Sequence, residues 1–307
     1  IVSPLSLRAA WASLGDVAQI FRKGVGEAME IGHPVGFREE LAIAFRAFLG
    51  VAQARWWIEH APADPVEALF ACTGTAETRG IAMRGLEAGA KRVLISGPSK
   101  AADVTVVLGA NDADLADQNI VSNASCTTNA LAPLLRLLDE HFGVVSGHMT
   151  TVHCYTGSQP TVDKPRGNFA RSRAAALSMV PTTTSAQRLV GEVLPKMKGR
   201  IEARAIRVPV ASVSAIDLAV QTEKLTSIEA VNAAFNAAKS TVIGVTNQPL
   251  VSSDLRGRPE SLILSTAETS VSVGGLLRVF GWYDNEWGFS NRMLDMAHLM
   301  ANTKGTK

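Results

Sequence analysis

Residues 122 to 129 read Ser-Asn-Ala-Ser-Cys-Thr-Thr-Asn and hold Cys126, one of three cysteines in 307 residues. Apolar Ile120 and Val121 read as the end of a strand, polar capping residues follow, and the apolar run from Ala130 to Leu138 has helical spacing. Cys126 is therefore expected near a helix N-terminus, where unpaired backbone N–H groups and the helix dipole favour thiolate over thiol. The plainer alternative is a small buried hydrophobe, but a core cysteine seldom sits among Ser, Asn and Thr. His153 ends a strand in Thr-Thr-Val-His-Cys-Tyr-Thr, and imidazole is suited to taking a thiol proton near neutral pH. Such a pair points to nucleophilic thiol catalysis.

The elements that must position this pair fall into three textures. Residues 1 to 65 read as an atypical helical segment, with Phe37, Leu41, Phe45, Phe48 and Leu49 spaced by three to four. From residue 66, short apolar runs at Val66–Ala71, Arg92–Ser96 and Val104–Leu108 surround a helix carrying Ile81, Met83 and Leu86. Strand, helix, strand in this order predicts parallel pairing in a doubly wound α/β sheet, with ligands at the carboxyl ends of the strands. Thr73 and Ser96 stand at such ends. From about residue 143 the strands lengthen: Val144–Cys154, Glu202–Val213, Ala215–Thr222, Ser261–Ser265 and Val271–Trp282. They predict a mixed or antiparallel sheet in an α+β domain, closed by a helix from Glu286 to Met300.

Lys and Arg number 30 against 28 Asp and Glu, a formal charge of +2, and no basic cluster is interleaved with aromatics. Nucleic acid and membrane surfaces are thereby poor partners, and a small molecule is the expected one. Cys72, Cys126 and Cys154 are too few and too irregularly spaced for a disulfide framework or a zinc site. No metal is expected, and the cytoplasm is the expected compartment. Cys72 and Cys154 read as small core residues.

Five motifs follow in order: the octet at 122–129, Thr150 to Thr156, Arg171-Ser-Arg-Ala-Ala-Ala-Leu-Ser-Met-Val-Pro-Thr-Thr-Thr184, Ala205-Ile-Arg-Val-Pro209, and Trp282-Tyr-Asp-Asn-Glu-Trp-Gly-Phe-Ser-Asn-Arg292. Together they resemble the phosphorylating glyceraldehyde-3-phosphate dehydrogenase family, including its erythrose-4-phosphate dehydrogenase branch. The resemblance implies a Rossmann-type parallel-sheet domain over residues 66–125 and 286–307, a catalytic domain over 126–285, and a homotetramer. It implies a phosphorylated aldehyde and inorganic phosphate as substrates, NAD or NADP as cofactor, and a hemithioacetal followed by a thioester on the cysteine. By matching position, Cys126 resembles the nucleophile and His153 its base. Thr156 and Arg207 resemble the site for the substrate's own phosphate. Ser125, Thr127, Thr184 and Arg171 resemble the site for the attacking phosphate. Asn285 resembles the residue that holds the nicotinamide carboxamide, and it also stands where a helix N-cap is expected.

The sequence departs from the family pattern before residue 66. Gly24-Val-Gly26 is the sole Gly-x-Gly of the first 70 residues, it follows a helical-looking segment, and the third glycine is missing. Ser185 stands where the family usually has glycine. The alternative reading is accordingly a relative with impaired cofactor binding that retains thiol chemistry or a binding and assembly role.

Overall fold

The computed structural model describes residues 68–71, 79–87, 89–165 and 167–303. The helical reading of residues 1 to 65, together with Cys72 and Thr73, falls outside them. No helix among the described residues is long and apolar enough to cross a membrane.

The first four strands, β1 (Ala68–Ala71), β2 (Arg92–Ile95), β3 (Val104–Thr105) and β4 (Ile120–Ser122), form a parallel sheet in the order β1-β2-β4-β3. Helix α1 (Arg79–Glu87) joins β1 to β2, and Ala82 and Leu86 pack on Val93, Ile95 and Ile120 while Met83 turns outward. The strand expected over Val104–Leu108 is cut short. The Asn111 amide accepts from the Val107 N–H at 2.8 Å and donates to the Thr105 carbonyl at 3.0 Å, turning the chain out of the ladder.

Helix α2 (Cys126–Phe142) starts three residues after β4 and buries Leu131, Leu134, Leu135 and Leu138 completely. These side chains meet Met149, Ile216, Leu218 and Val279 on a second sheet. That sheet comprises β5 (Val144–Cys154), β6 (Val180–Thr182), β7 (Ile201–Val208), β8 (Ser214–Thr222), β9 (Ile243–Thr246), β10 (Leu262–Ser265), β11 (Ser270–Val271) and β12 (Leu277–Tyr283). Its order is β6-β7-β5-β8-β12-β10-β9, with β11 beside β12. The β5/β7 and β9/β10 pairs are parallel and the remaining pairs antiparallel, so the sheet is mixed, as its alternating texture predicts. The run read as Val271–Trp282 is two strands, because Gly275 at φ +81° turns the chain between them. The strand expected to reach Val213 ends at Val208, where Pro209 has no N–H for the ladder.

Helices α3 (Ala186–Val193) and α4 (Ile228–Ala237) cover the same face of the mixed sheet as α2. The last helix, α5 (Trp287–Asn302), returns to pack on β1, β2 and α2. Its N-terminus is capped by Asp284, whose Oδ1 accepts from the Glu286 and Trp287 N–H groups at 3.1 and 2.9 Å. Asn285 does not take the cap, which corrects that expectation and leaves its amide for other contacts. The first turn of α5 lies so close to the β10 entry that a Cβ on Gly288 would sit 2.6 Å from the Glu260 carbonyl oxygen. Gly288→Ala should therefore cost about 2 kcal/mol in urea unfolding, and an unchanged midpoint would contradict this packing.

Candidate active site

The turn from β4 into α2 is built from short polar contacts. Asn123 N–H reaches back to the Ile95 carbonyl at 3.0 Å, and the Ala124 N–H donates to Ser122 Oγ at 3.1 Å. Ala124 is held at φ +56°, a left-handed conformation that reverses the chain at a fully buried position. Ser125 then caps the helix, accepting from the Thr128 N–H at 3.1 Å. Cys126 is the first residue of α2, the position expected for a dipole-assisted thiol.

His153 lies near the end of β5, whose register against β7 places it opposite Arg207. The His153 Nε2 is 3.7 Å from the Cys126 Sγ. The other ring nitrogen, Nδ1, lies 2.8 Å from the Cys154 carbonyl and 2.5 Å from Arg207 Nη1, which also donates to that carbonyl at 3.1 Å. A guanidinium can only donate. When it bonds Nδ1 the ring proton sits on Nε2, and when Nδ1 serves the carbonyl, Nε2 is left as a lone pair toward the sulfur.

Protonating both nitrogens would set an imidazolium against Arg207. Burial first, and this charge second, push the His153 pKa from 6.5 down to about 4, against the opposing hydrogen bond to the Cys154 carbonyl. Burial likewise pushes the Cys126 thiol up, although the residue keeps partial exposure; Thr127 hydrogen bonds and the Arg207 charge act in the opposite direction. The unliganded pair is thus a neutral thiol beside a neutral imidazole, held within reach of proton transfer. Burial thus acts against the dipole effect that the sequence alone would emphasise.

Around this pair the sequence-derived residues divide. Ser125, Cys126, Thr127, His153 and Arg207 come together. Asn285 joins them through Cys154, whose Sγ donates to Asn285 Oδ1 at 3.1 Å. Thr156 bonds Ser158 at 2.8 Å, and Thr184 accepts from the Ala186 N–H at 3.3 Å at the start of α3. Arg171 is exposed and donates to Thr182 Oγ1 at 2.7 Å and Thr183 Oγ1 at 3.0 Å, beside a groove of about 700 Å³ that Arg204 also lines. No hydrogen bond links Thr156, Arg171 or Thr184 to Cys126 or His153 among the described residues. Ser96 follows the carboxyl end of β2, and Ser185 has φ −65°, so the backbone there does not require glycine.

Two residues without an assigned role in the sequence reading, Tyr283 and Thr151, support the Cys126 turn from behind. The Tyr283 hydroxyl bridges Thr127 Oγ1 at 2.9 Å and Thr151 Oγ1 at 2.7 Å, and Thr127 Oγ1 lies 4.0 Å from the Cys126 sulfur. The Tyr283 ring meets His153 edge-on at 5.9 Å. Burial raises the Tyr283 pKa, so its hydroxyl stays protonated. The signal available was the alternation of β12, which points one of only two tyrosines inward just before Asn285.

The His153 shift makes a pH prediction. Its folded pKa lies below its unfolded value, so the stabilisation is complete above pH 6.5 and is lost as pH falls toward 4. His153 should account for about 3 kcal/mol of that loss. Chemical denaturation across this range should show a shallower pH dependence for His153→Asn than for the wild type, and parallel curves would contradict the assignment.

Residues 125–285 match the family model for the C-terminal domain of glyceraldehyde 3-phosphate dehydrogenase. Glyceraldehyde-3-phosphate dehydrogenase of Cereibacter sphaeroides is 48% identical over 240 residues, covering 76% of this chain and 72% of the relative. The Xanthobacter flavus enzyme of that name is also 48% identical over 240 residues, with the same coverage. The Zymomonas mobilis enzyme is 46% identical over 245 residues, 78% of this chain and 73% of its own. With its mixed catalytic sheet and its Cys126–His153 pair, the chain belongs to the glyceraldehyde-3-phosphate dehydrogenase family of oxidoreductases.

Proposed function

We propose that this chain is an NAD(P)-dependent phosphorylating aldehyde dehydrogenase that converts glyceraldehyde 3-phosphate to 1,3-bisphosphoglycerate. The observation that carries the reading is the 3.7 Å approach of His153 Nε2 to a cysteine at the first position of α2, in a chain of this family. Cys126 Sγ bonds to the aldehyde carbon while its proton passes to His153, giving a hemithioacetal. The Cys126 backbone N–H, at the helix start, supports the developing oxyanion. His153 returns that proton to the oxyanion, which completes the hemithioacetal hydroxyl, and takes it again as the carbon is oxidised. When bound, the nicotinamide cofactor supplies the acceptor for the departing hydride. Inorganic phosphate attacks the resulting thioester, and Cys126 leaves as thiolate to regain its proton from His153.

Arg207 and Thr156 are the proposed holders of the substrate phosphate, and Ser125, Thr127, Thr184 and Arg171 those of the attacking phosphate. Fixed guanidinium charge with hydroxyl donors suits two phosphate groups. For Arg207, anion binding would draw its guanidinium off the imidazole and restore the basicity of His153.

The described residues fit a nicotinamide at one end. Asn285 is 8% exposed, its Oδ1 is occupied, and its Nδ2 makes no hydrogen bond among the described residues. At the carboxyl end of β4, Asn123 is fully buried with both side-chain amide atoms unpartnered. Asn285, Ser96 and Thr73 are the proposed cofactor contacts, and residues 66–125 with 286–307 the proposed cofactor domain.

Glyceraldehyde 3-phosphate with NAD or NADP should give phosphate-dependent cofactor reduction that Cys126→Ser lowers by at least about a thousandfold. Absence of saturable binding of either dinucleotide would instead support the relative with impaired cofactor binding, which the missing Gly-x-Gly-x-x-Gly loop favours.

Assembly into a homo-oligomer is the second part of the proposal. Phe169, Leu177 and Met179 are 96%, 84% and 73% exposed in one chain segment, an apolar display that a second copy would cover. Leu177→Glu with Met179→Glu should lower the mass found by light scattering to a smaller assembly, and an unchanged mass would argue against this surface.

A further inference from the structure

Asn285 does not stand alone in its pocket. Its Oδ1 accepts from Ser214 Oγ at 3.0 Å and from Cys154 Sγ at 3.1 Å. The Ser214 oxygen is itself held in place, because it accepts the Cys154 backbone N–H at 3.2 Å. All three residues are buried, with Cys154 at 0%, Ser214 at 1% and Asn285 at 8% exposure. An amide oxygen has two lone pairs, and here both are engaged.

The backbone reinforces this arrangement. Val213, immediately before Ser214, is held at φ +68°, a conformation that β-branched residues rarely adopt. Packing against Leu255 and Ile263 maintains it at 3% exposure. Strain kept in place by a well-packed surround is characteristic of positions that aim a functional group. Here the group aimed is the Ser214 hydroxyl.

We propose that Cys154 and Ser214 are positioning residues that lock the Asn285 side chain with its Nδ2 presented outward, so that the site takes a hydrogen-bond acceptor: the carbonyl oxygen of the nicotinamide carboxamide. The inference rests on the dehydrogenase reading above. It gives Cys154, which reads from sequence as core filling, a defined task. Its thiol is a donor to the amide that orients the cofactor ring. Burial pushes that thiol up to about 11, so it keeps the proton it donates.

The test compares Cys154→Ala, Cys154→Val and Cys154→Ser by calorimetric titration with NAD and with ADP-ribose, which lacks the nicotinamide. NADP is titrated in parallel with its own 2′-phosphorylated fragment. Loss of one neutral hydrogen bond should weaken binding of the whole dinucleotide about fivefold in the Ala and Val variants, with ADP-ribose binding unchanged. Cys154→Ser retains a donor and should bind as the wild type does. A packing role orders the variants differently, with Val best tolerated and the polar Ser worst. That order, or equal affinities across the series, would overturn the inference while leaving the dehydrogenase reading intact. If the wild type binds neither NAD nor NADP, both fall.

Discussion

The site depends on how the chain passes from the parallel sheet into α2. Three residues, 123 to 125, make that passage, and they do so with a left-handed alanine and a serine cap rather than with a flexible loop. The leucine face of α2 then anchors the helix on the mixed sheet, so the position of Cys126 is set from both ends. A fully buried leucine face contributes several kcal/mol, far more than the single cap hydrogen bond. The cap sets direction and the core supplies rigidity. From the mixed sheet, β5 brings His153 to the sulfur and β7 brings Arg207 to the imidazole through a register fixed along eight residue pairs.

Two electrostatic tendencies meet at this point. The start of α2 and the Arg207 charge favour a thiolate, while burial disfavours it, and the balance falls on the neutral thiol. The same charge and the same burial disfavour an imidazolium. Arg207 thus acts on both members of the pair, favouring the charged sulfur and disfavouring the charged ring.

Much of this was legible in the residues. Alternation in Val144–Cys154 and helical spacing in Ala130–Leu138 are local patterns, and both elements form where they were read, with the helix extending to Phe142. The five ordered motifs carry the family. What was not legible is non-local. Tyr283 meets Thr127 across 156 positions and Thr151 across 132, and no local periodicity encodes either contact. The cap of α5 is not decided locally, because Asp284 and Asn285 are adjacent residues with equal capping propensity. Only the tertiary donors Cys154 and Ser214 decide that Asn285 turns away. Apolar Val106 to Leu108 extend the strand pattern at Val104, whereas the Asn111 side chain decides where the ladder stops.

The central claim is that Cys126 is a nucleophile whose proton is taken by His153. It is tested most directly by the rate at which iodoacetamide alkylates Cys126 near neutral pH, followed by mass spectrometry so that Cys72 and Cys154 are scored separately. Replacing His153 by Asn should slow modification of Cys126 at least about tenfold while leaving the other two thiols unaffected. Equal rates in the wild type and the variant would show that the imidazole 3.7 Å from the sulfur does not serve it, and the account of the site would fail.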